Sequence, residues 1–464
     1  MATDQTQKPN RLPPDWRKLA WDALAILATP LILVYLLIRF LRGKSLRGFA
    51  ERLGNVPPGA RHLGRPDEPV IWIHACSAGE VGAAEPIIRE LRQAEPHAHL
   101  VLSTITTTGR AVADSGRLEV DAVLYFPLDF PGISEHVLDV IAPRLVVIAE
   151  TELWPNFLAA ASQRGIPVCT VNGRLSDKHF PHYRLIRFLT PWILSHLELI
   201  CVQTEIDVQR FRELGADPDR VVVAGNSKFD EDFPQVPPEE SAKWRQDLGF
   251  SQDQPILLAA STHANEEEIV LKCYERLRPA HPDLGLLIAP RHPERGDAVE
   301  ALIGEFGYGC RRRTKLLAGV EPEASTDARA QVTLLDTMGE QGRVYSIATV
   351  VFMGGSLAPI GGHNILQPMA FGKPVIMGPH MHNQRELTEM ALREGAVLQV
   401  GNPEEFYETV DRLLASESER ELLSVKGQAI IARNVGAAKK MVDRIVAILD
   451  RYPDAPPSPP AYPG

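Results

Sequence analysis

Short, almost unbroken apolar runs punctuate this chain at intervals that leave room for about one helix between neighbours. In the first half they are VIWIH (70–74), HLVLST (99–104), RLVVIA (144–149), PVCTV (167–171), LICVQ (199–203) and VVVAG (221–225). Amphipathic stretches such as Ala84–Gln93 and Ile206–Leu214 lie between them. Strands that are apolar throughout, rather than alternating, predict a parallel sheet covered on both faces. The segment EDFPQVPPEE (231–240), rich in proline and acid, reads as an interdomain linker. The pattern then resumes with PILLAA (255–260), LGLLIA (284–289), QVTLL (331–335), TVVFM (349–353) and PVIM (374–377). Residues 311–330 read as an irregular surface insertion and the tail 453–464 as disordered. The expected fold is α/β: two Rossmann-like, doubly wound domains at 49–230 and 241–450, a leader over 1–48 and a tail over 451–464.

Charge changes the picture at the N-terminus. The chain carries 49 basic and 59 acidic residues, a net −10, which argues against a nucleic-acid partner. Yet residues 1–52 hold nine Lys/Arg against four acids, a basic leader on an acidic body. Within it, Ala23–Ile38 is an uncharged run of sixteen residues flanked by Arg17/Lys18 and by Arg39, Arg42, Lys44 and Arg47. The run is short for a span, and no cleavage site follows it. An uncleaved N-terminal membrane anchor, single-pass or monotopic, is the favoured reading, with an ordinary buried helix as the alternative. The basic cluster after the run places the body on the cytoplasmic side. The five cysteines are scattered, with no CxxC or Cys/His cluster, and are expected to be reduced and structural.

Ligands of open α/β sheets bind beyond the carboxyl ends of the strands, and the unusual polar residues concentrate there. VIWIH runs into Ala75–Glu80, RLVVIA into Glu150 and Glu152, and VVVAG into Asn226 and Lys228. In the second half LGLLIA leads to Pro290-Arg291, QVTLL to Asp336–Glu340, and TVVFM to GGSLAPIGGHN (354–364). The glycines of that loop, with Gly354, Gly355 and Ser356 at its start, let backbone N–H groups approach an anion, with a helix beginning near Asn364 behind them. A tight packed turn is the alternative. The loop is neither a Walker nor a GxGxxG sequence, which disfavours a kinase or dehydrogenase. Arg291, bracketed by Pro290 and Pro293, suits a phosphate clamp or a solvated surface arginine. Glu266–Glu268 reads as a helix-start feature, and His363 and His380 as satisfied polar histidines lacking a third metal ligand. Glu80 suits a general base toward a hydroxyl, with a helix-start glutamate as the alternative; Glu150 and Lys228 could steady charge beside it.

At these positions the sequence resembles the 3-deoxy-D-manno-octulosonic acid (Kdo) transferases of Gram-negative lipid A assembly. The matching stretches are HACSAGEV (74–81), ETELWPN (150–156), NGRLS (172–176), GNSKFD (225–230), STHANEEE (261–268), PRHPER (290–295), DTMGE (336–340) and GGSLAPIGGHNILQPMAFGKPVIMGPH (354–380). The resemblance covers roughly residues 50–400. It implies a GT-B fold and transfer of Kdo from CMP-Kdo, with inversion, to a lipid A precursor at the inner membrane. It also implies Glu80 as base, with Glu150 and Lys228 assisting. CMP contacts would fall on Pro290, Arg291, Met338, Gly339, Glu340, Asn364, Ile365, Leu366 and Gln367. No metal or other cofactor is expected. The family usually has glutamate where Gln367 stands, so one charge-assisted contact is replaced by an amide that can still accept a hydrogen bond. Two rival readings remain at this level: a GT-B enzyme using another nucleotide sugar, such as a peptidoglycan-type N-acetylglucosaminyltransferase, and a non-catalytic membrane-tethered scaffold.

Overall fold

The computed structural model describes residues 18, 21–23, 27, 48–61, 63, 68–177, 179–231, 233, 236–320 and 331–452. The expected anchor run and the C-terminal tail fall almost wholly outside them. Among the described residues no helix is long and apolar enough to cross a membrane.

Seven strands form the first sheet: β1 (Val70–His74), β2 (His99–Thr104), β3 (Ala122–Tyr125), β4 (Leu145–Ala149), β5 (Val168–Gly173), β6 (Leu199–Val202) and β7 (Val221–Val223). All pair in parallel, in the order β3-β2-β1-β4-β5-β6-β7. The order reverses between β1 and β4, the doubly wound switch point. Both faces are covered, as the unbroken apolar runs require. Val70 and Trp72 of β1 face one cluster with Phe126 and Phe157, while Ile71 and Ile73 face another. Helix α1 (Ala78–Ala94) packs Val81, Ala84, Ile87, Ile88 and Leu91 into the second cluster.

The second sheet comprises β8 (Ile256–Thr262), β9 (Gly285–Pro290), β10 (Gly309–Arg312), β11 (Gln331–Leu334), β12 (Val350–Met353), β13 (Val375–Met377) and β14 (Leu398–Gln399). Its order is β10-β11-β9-β8-β12-β13-β14, again all parallel, with the switch point between β8 and β12. Helix α2 (Glu266–Leu277) packs Val270, Leu271, Tyr274 and Leu277 onto it, and the short α3 (Leu366–Ala370) follows the glycine-rich loop. β10 corrects the expectation of irregular structure from 311 on. Its residues, GCRR, are partly exposed and charged because it is an edge strand, so it carries no apolar signal.

The chain divides into two compact units, one running up to Glu231 and resuming at Val435, the other spanning 232–434. This departs from the expected second domain at 241–450. The last helix, α4 (Ala437–Arg451), belongs to the first unit. Its Ala437, Ala438, Met441, Val442, Ile445, Ile448 and Leu449 are buried with Ile71, Ile73 and α1. Both oxygens of Asp230 accept the amides at its start, Gly436 N and, at 2.7 Å, Ala438 N. The expected linker 231–240 likewise already contains the start of a helix, Pro238–Asp247.

Candidate active site

In the first unit, β1 and β4 are paired neighbours at the switch point, and the loops that leave them, 75–80 and 150–152, bring Glu80, Glu150 and Glu152 close to one another. Ser77 caps α1, its Oγ accepting from Glu80 N at 3.4 Å. The Glu80 carboxylate turns back over the same loop, accepting from Cys76 N at 2.8 Å and from Ser77 Oγ at 2.9 Å. The helix-start reading is therefore correct as geometry: Ser-x-x-Glu works here as a capping arrangement. It does not exhaust the residue. Partial burial, followed by repulsion from Glu150, raises the Glu80 pKa to about 7 in spite of those two hydrogen bonds. Glu152 is raised too, by burial and by Glu150. Cys76 joins the cluster, its thiol pushed up to about 12 by burial and then by Glu152, Glu80 and Glu150. Among the described residues Cys76, Glu80 and Glu152 are the group of acid and thiol donors that lie within 4.8 Å of one another.

Lys228 supplies the positive charge, its Nζ 3.9 Å from Glu150 Oε1. Its backbone is held from several sides. Asn226 Oδ1 accepts Lys228 N at 3.0 Å, and the Asn172 amide bonds Ser227 through both its atoms. Ser227 in turn donates to Ala83 O in α1. Arg89 of α1 donates to Asp230 O at 2.8 Å. Glu150 and Asn172 stand at positive φ, 60° and 53°, conformations that non-glycine residues adopt at a cost and that concentrate at functional sites. Glu80, Glu150 and Lys228 are thus brought together.

In the second unit the structure revises the phosphate-loop expectation. The Glu266 carboxylate, fully buried at the start of α2, accepts Gly355 N (2.7 Å), Ser356 N (3.0 Å), Leu357 N (3.0 Å), Ala358 N (3.1 Å) and His263 N (3.0 Å). The loop is an anion nest, but the anion is the protein's own. The Gly355 and Ser356 amides are already engaged, and Ser356 Oγ caps Met353 O, so neither residue has these groups left for a phosphate. Gly354 is needed for close approach: a Cβ there would lie 2.4 Å from Ser261 O.

The remaining candidates line the carboxyl edge of β9, β11 and β12. Arg291 is exposed, its N donating to Thr262 O at 3.0 Å. Met338 is 74% exposed, and Gly339 sits at φ 81°. Glu340 is held by Arg313 through both oxygens, at 3.0 and 3.1 Å; these bonds and one from Thr337 outweigh burial and lower its pKa. Gln341 ties this segment to β8, donating to Ser261 Oγ at 2.8 Å. Asn364 Oδ1 accepts the first amide of α3, Leu366 N, at 2.8 Å, while Ile365 and Leu366 are buried and Gln367 is half-buried. His363, expected only as a satisfied polar histidine, meets His263, their Nε2 atoms 2.8 Å apart.

Comparison with known proteins bears directly on this arrangement. Residues 47–231 match the family described as 3-deoxy-D-manno-octulosonic-acid transferase (kdotransferase), and residues 240–429 match glycosyl transferases group 1. A 3-deoxy-D-manno-octulosonic acid transferase of Haemophilus influenzae is 35% identical over 446 residues, 94% of this chain and 99% of that protein. The chain belongs to the Kdo transferase family. It is a glycosyltransferase of that family, and its two doubly wound units are those of the GT-B fold. UDP-GlcNAc 2-epimerase from Neisseria meningitidis shares the architecture at 14% identity, TM-score 0.50, covering 83% of this chain and all of that one. The C-terminal CMP-Kdo binding domain of WaaA from Acinetobacter baumannii is 30% identical, covering 42% of this chain and 97% of that one, with TM-score 0.38.

Sequence reasoning named Glu80, Glu150 and Lys228, which the structure brings together, but missed Glu266 as the occupant of the loop and the pairing of His263 with His363. A signal was present. Glu266 is one of three consecutive acids that follow an Ser-Thr-His strand end, and a glycine pair that accepts an anion must find one.

Proposed function

We propose that the chain transfers Kdo from CMP-Kdo, with inversion, to a lipid A precursor on the cytoplasmic side of the inner membrane. Family membership supports the donor. The observation that carries the chemistry is Glu80, a carboxylate with a pKa of about 7 at the first sheet's switch point. A base poised there is half ionised near neutrality and still strong enough to take a proton. An acceptor hydroxyl would lose its proton to Glu80 as its oxygen attacks the anomeric carbon. The bond from that carbon to the CMP phosphate oxygen would break, CMP leaving with the electron pair. Lys228 would offset developing negative charge, and Glu150 would favour positive charge on the sugar while keeping Glu80 basic.

The lipid acceptor has support on the surface of the first unit. Leu185 is 78% and Phe188 65% exposed, beside Arg184 and Arg187, a pairing suited to an anionic, acylated partner. The basic leader is consistent with the same membrane face.

Competition binding tests the reading. CMP should displace bound CMP-Kdo and UDP should not, and Glu80→Ala should retain CMP binding while losing transfer. Binding of UDP without CMP would defeat the donor assignment; undiminished transfer by the variant would remove Glu80 from the chemistry.

A further inference from the structure

Three histidines and an arginine converge where β8, β9 and β12 end. His263 and His363 meet through their Nε2 atoms, 2.8 Å apart, with ring centroids 5.1 Å apart and ring planes only 5° from parallel. His292 meets His263 edge-on at 5.7 Å. Gly355 lies beneath the pair at φ 67°, and a Cβ there would come within 3.1 Å of His363 and 3.5 Å of His263. Glycine at this position is therefore required by the imidazoles as well as by the nest. The Arg291 guanidinium makes no ion pair among the described residues and bears on His363. Acids are near, but committed: Glu266 to five amides, Glu267 to Arg295 and Thr262, and Glu294 to His292 at 3.4 Å.

We propose that His263, His363, His292 and Arg291 form the oxyanion subsite of the donor, taking either the phosphate of the nucleotide or the carboxylate of the sugar acid. This rests on the donor reading above and deepens it, by assigning to the histidines the role that the glycine loop cannot fill.

Without a bound anion the pair shares one hydrogen bond, one imidazole N–H donating to the other's bare nitrogen. Burial, then Arg291, His263 and His292, bring the His363 pKa down to about 4. Burial also lowers His263; Glu266 and Glu267 oppose this, and His292 and Arg295 add to it. An oxyanion reverses the balance. It accepts from imidazolium and guanidinium at once, so binding draws a proton from solution. Arg291 alone would bind with no such uptake.

The test is a pH titration of the 15N-labelled histidine side chains of the full chain, alone and saturated with CMP, with cytidine or with free Kdo. Saturation with at least one of the two anions should raise the His263 or His363 pKa by two units or more, and cytidine should not. A rise with CMP alone assigns the phosphate; a rise with Kdo alone assigns the carboxylate. His363→Gln and the exposed Arg291→Ala should each weaken the responsible anion by roughly tenfold or more and leave cytidine unchanged. Unmoved histidine titrations in both anion complexes, or wild-type CMP and Kdo affinity in both variants, overturn the subsite and leave the donor assignment standing. Failure of the wild-type chain to bind either CMP or CMP-Kdo overturns both.

Discussion

Replacing Glu80 by glutamine separates what this carboxylate does for the fold from what it does for transfer. Its pKa is raised from 4.5 to about 7, so the native state holds the proton more tightly than the unfolded chain does. The stability this contributes is fully present below pH 4.5 and is lost as the pH rises through 7. At about 1.4 kcal/mol per unit the loss approaches about 3 kcal/mol, and solvent around a half-buried group reduces it to about 2 kcal/mol. Glutamine does not titrate, and it keeps one acceptor oxygen for Cys76 N or Ser77 Oγ, forfeiting about 1 kcal/mol for the other. The variant should therefore be less stable than the parent by about 1 kcal/mol at pH 4 and more stable by about 1 kcal/mol at pH 8. Thermal unfolding of both proteins across this range measures the crossing. Transfer should fall by about 10²–10⁴-fold at every pH. A stability difference that does not change with pH would refute the electrostatic account of Glu80, whatever happens to activity.

Other expectations follow from the same contacts. The kcat/KM of the parent should rise with pH through about 7, and Glu150→Gln should move that limb to lower pH, because it removes the charge that opposes ionisation of Glu80. Glu266→Gln places an NH2 group against the amides of 355–358 and should destabilise the second unit by about 3 kcal/mol, read by denaturant unfolding. Asp230→Ala uncaps α4 and should cost about 1 kcal/mol, with faster hydrogen exchange over 436–452 and little change across 256–377.

Most of the sheet framework was legible because a doubly covered parallel strand must be apolar on both faces, and VIWIH or TVVFM can be little else. What escaped lacked that signature. β10 is a charged edge, β14 is two residues long, and the residues of α4 are amphipathic without recording which sheet they cover. The first-unit site was legible for a similar reason: Glu80, Glu150 and Lys228 each follow a recognisable strand, and the strand ends of an α/β sheet share one edge. The second-unit site was only half legible. Glycine content announced a loop whose amides would bind an anion, but the anion comes from a side chain nearly ninety residues away, a pairing that only the folded chain creates. The same fold converts two scattered histidines, His263 and His363, into one hydrogen-bonded pair.

We infer that this chain moves Kdo from a cytidine nucleotide to a lipid. Mass analysis of a lipid IVA-type acceptor, incubated with the full chain and CMP-Kdo, addresses it most directly. The acceptor should gain whole Kdo units, with one CMP released for each, and Glu80→Ala should give none. An acceptor left unmodified by CMP-Kdo but glycosylated from a UDP-sugar would contradict the account.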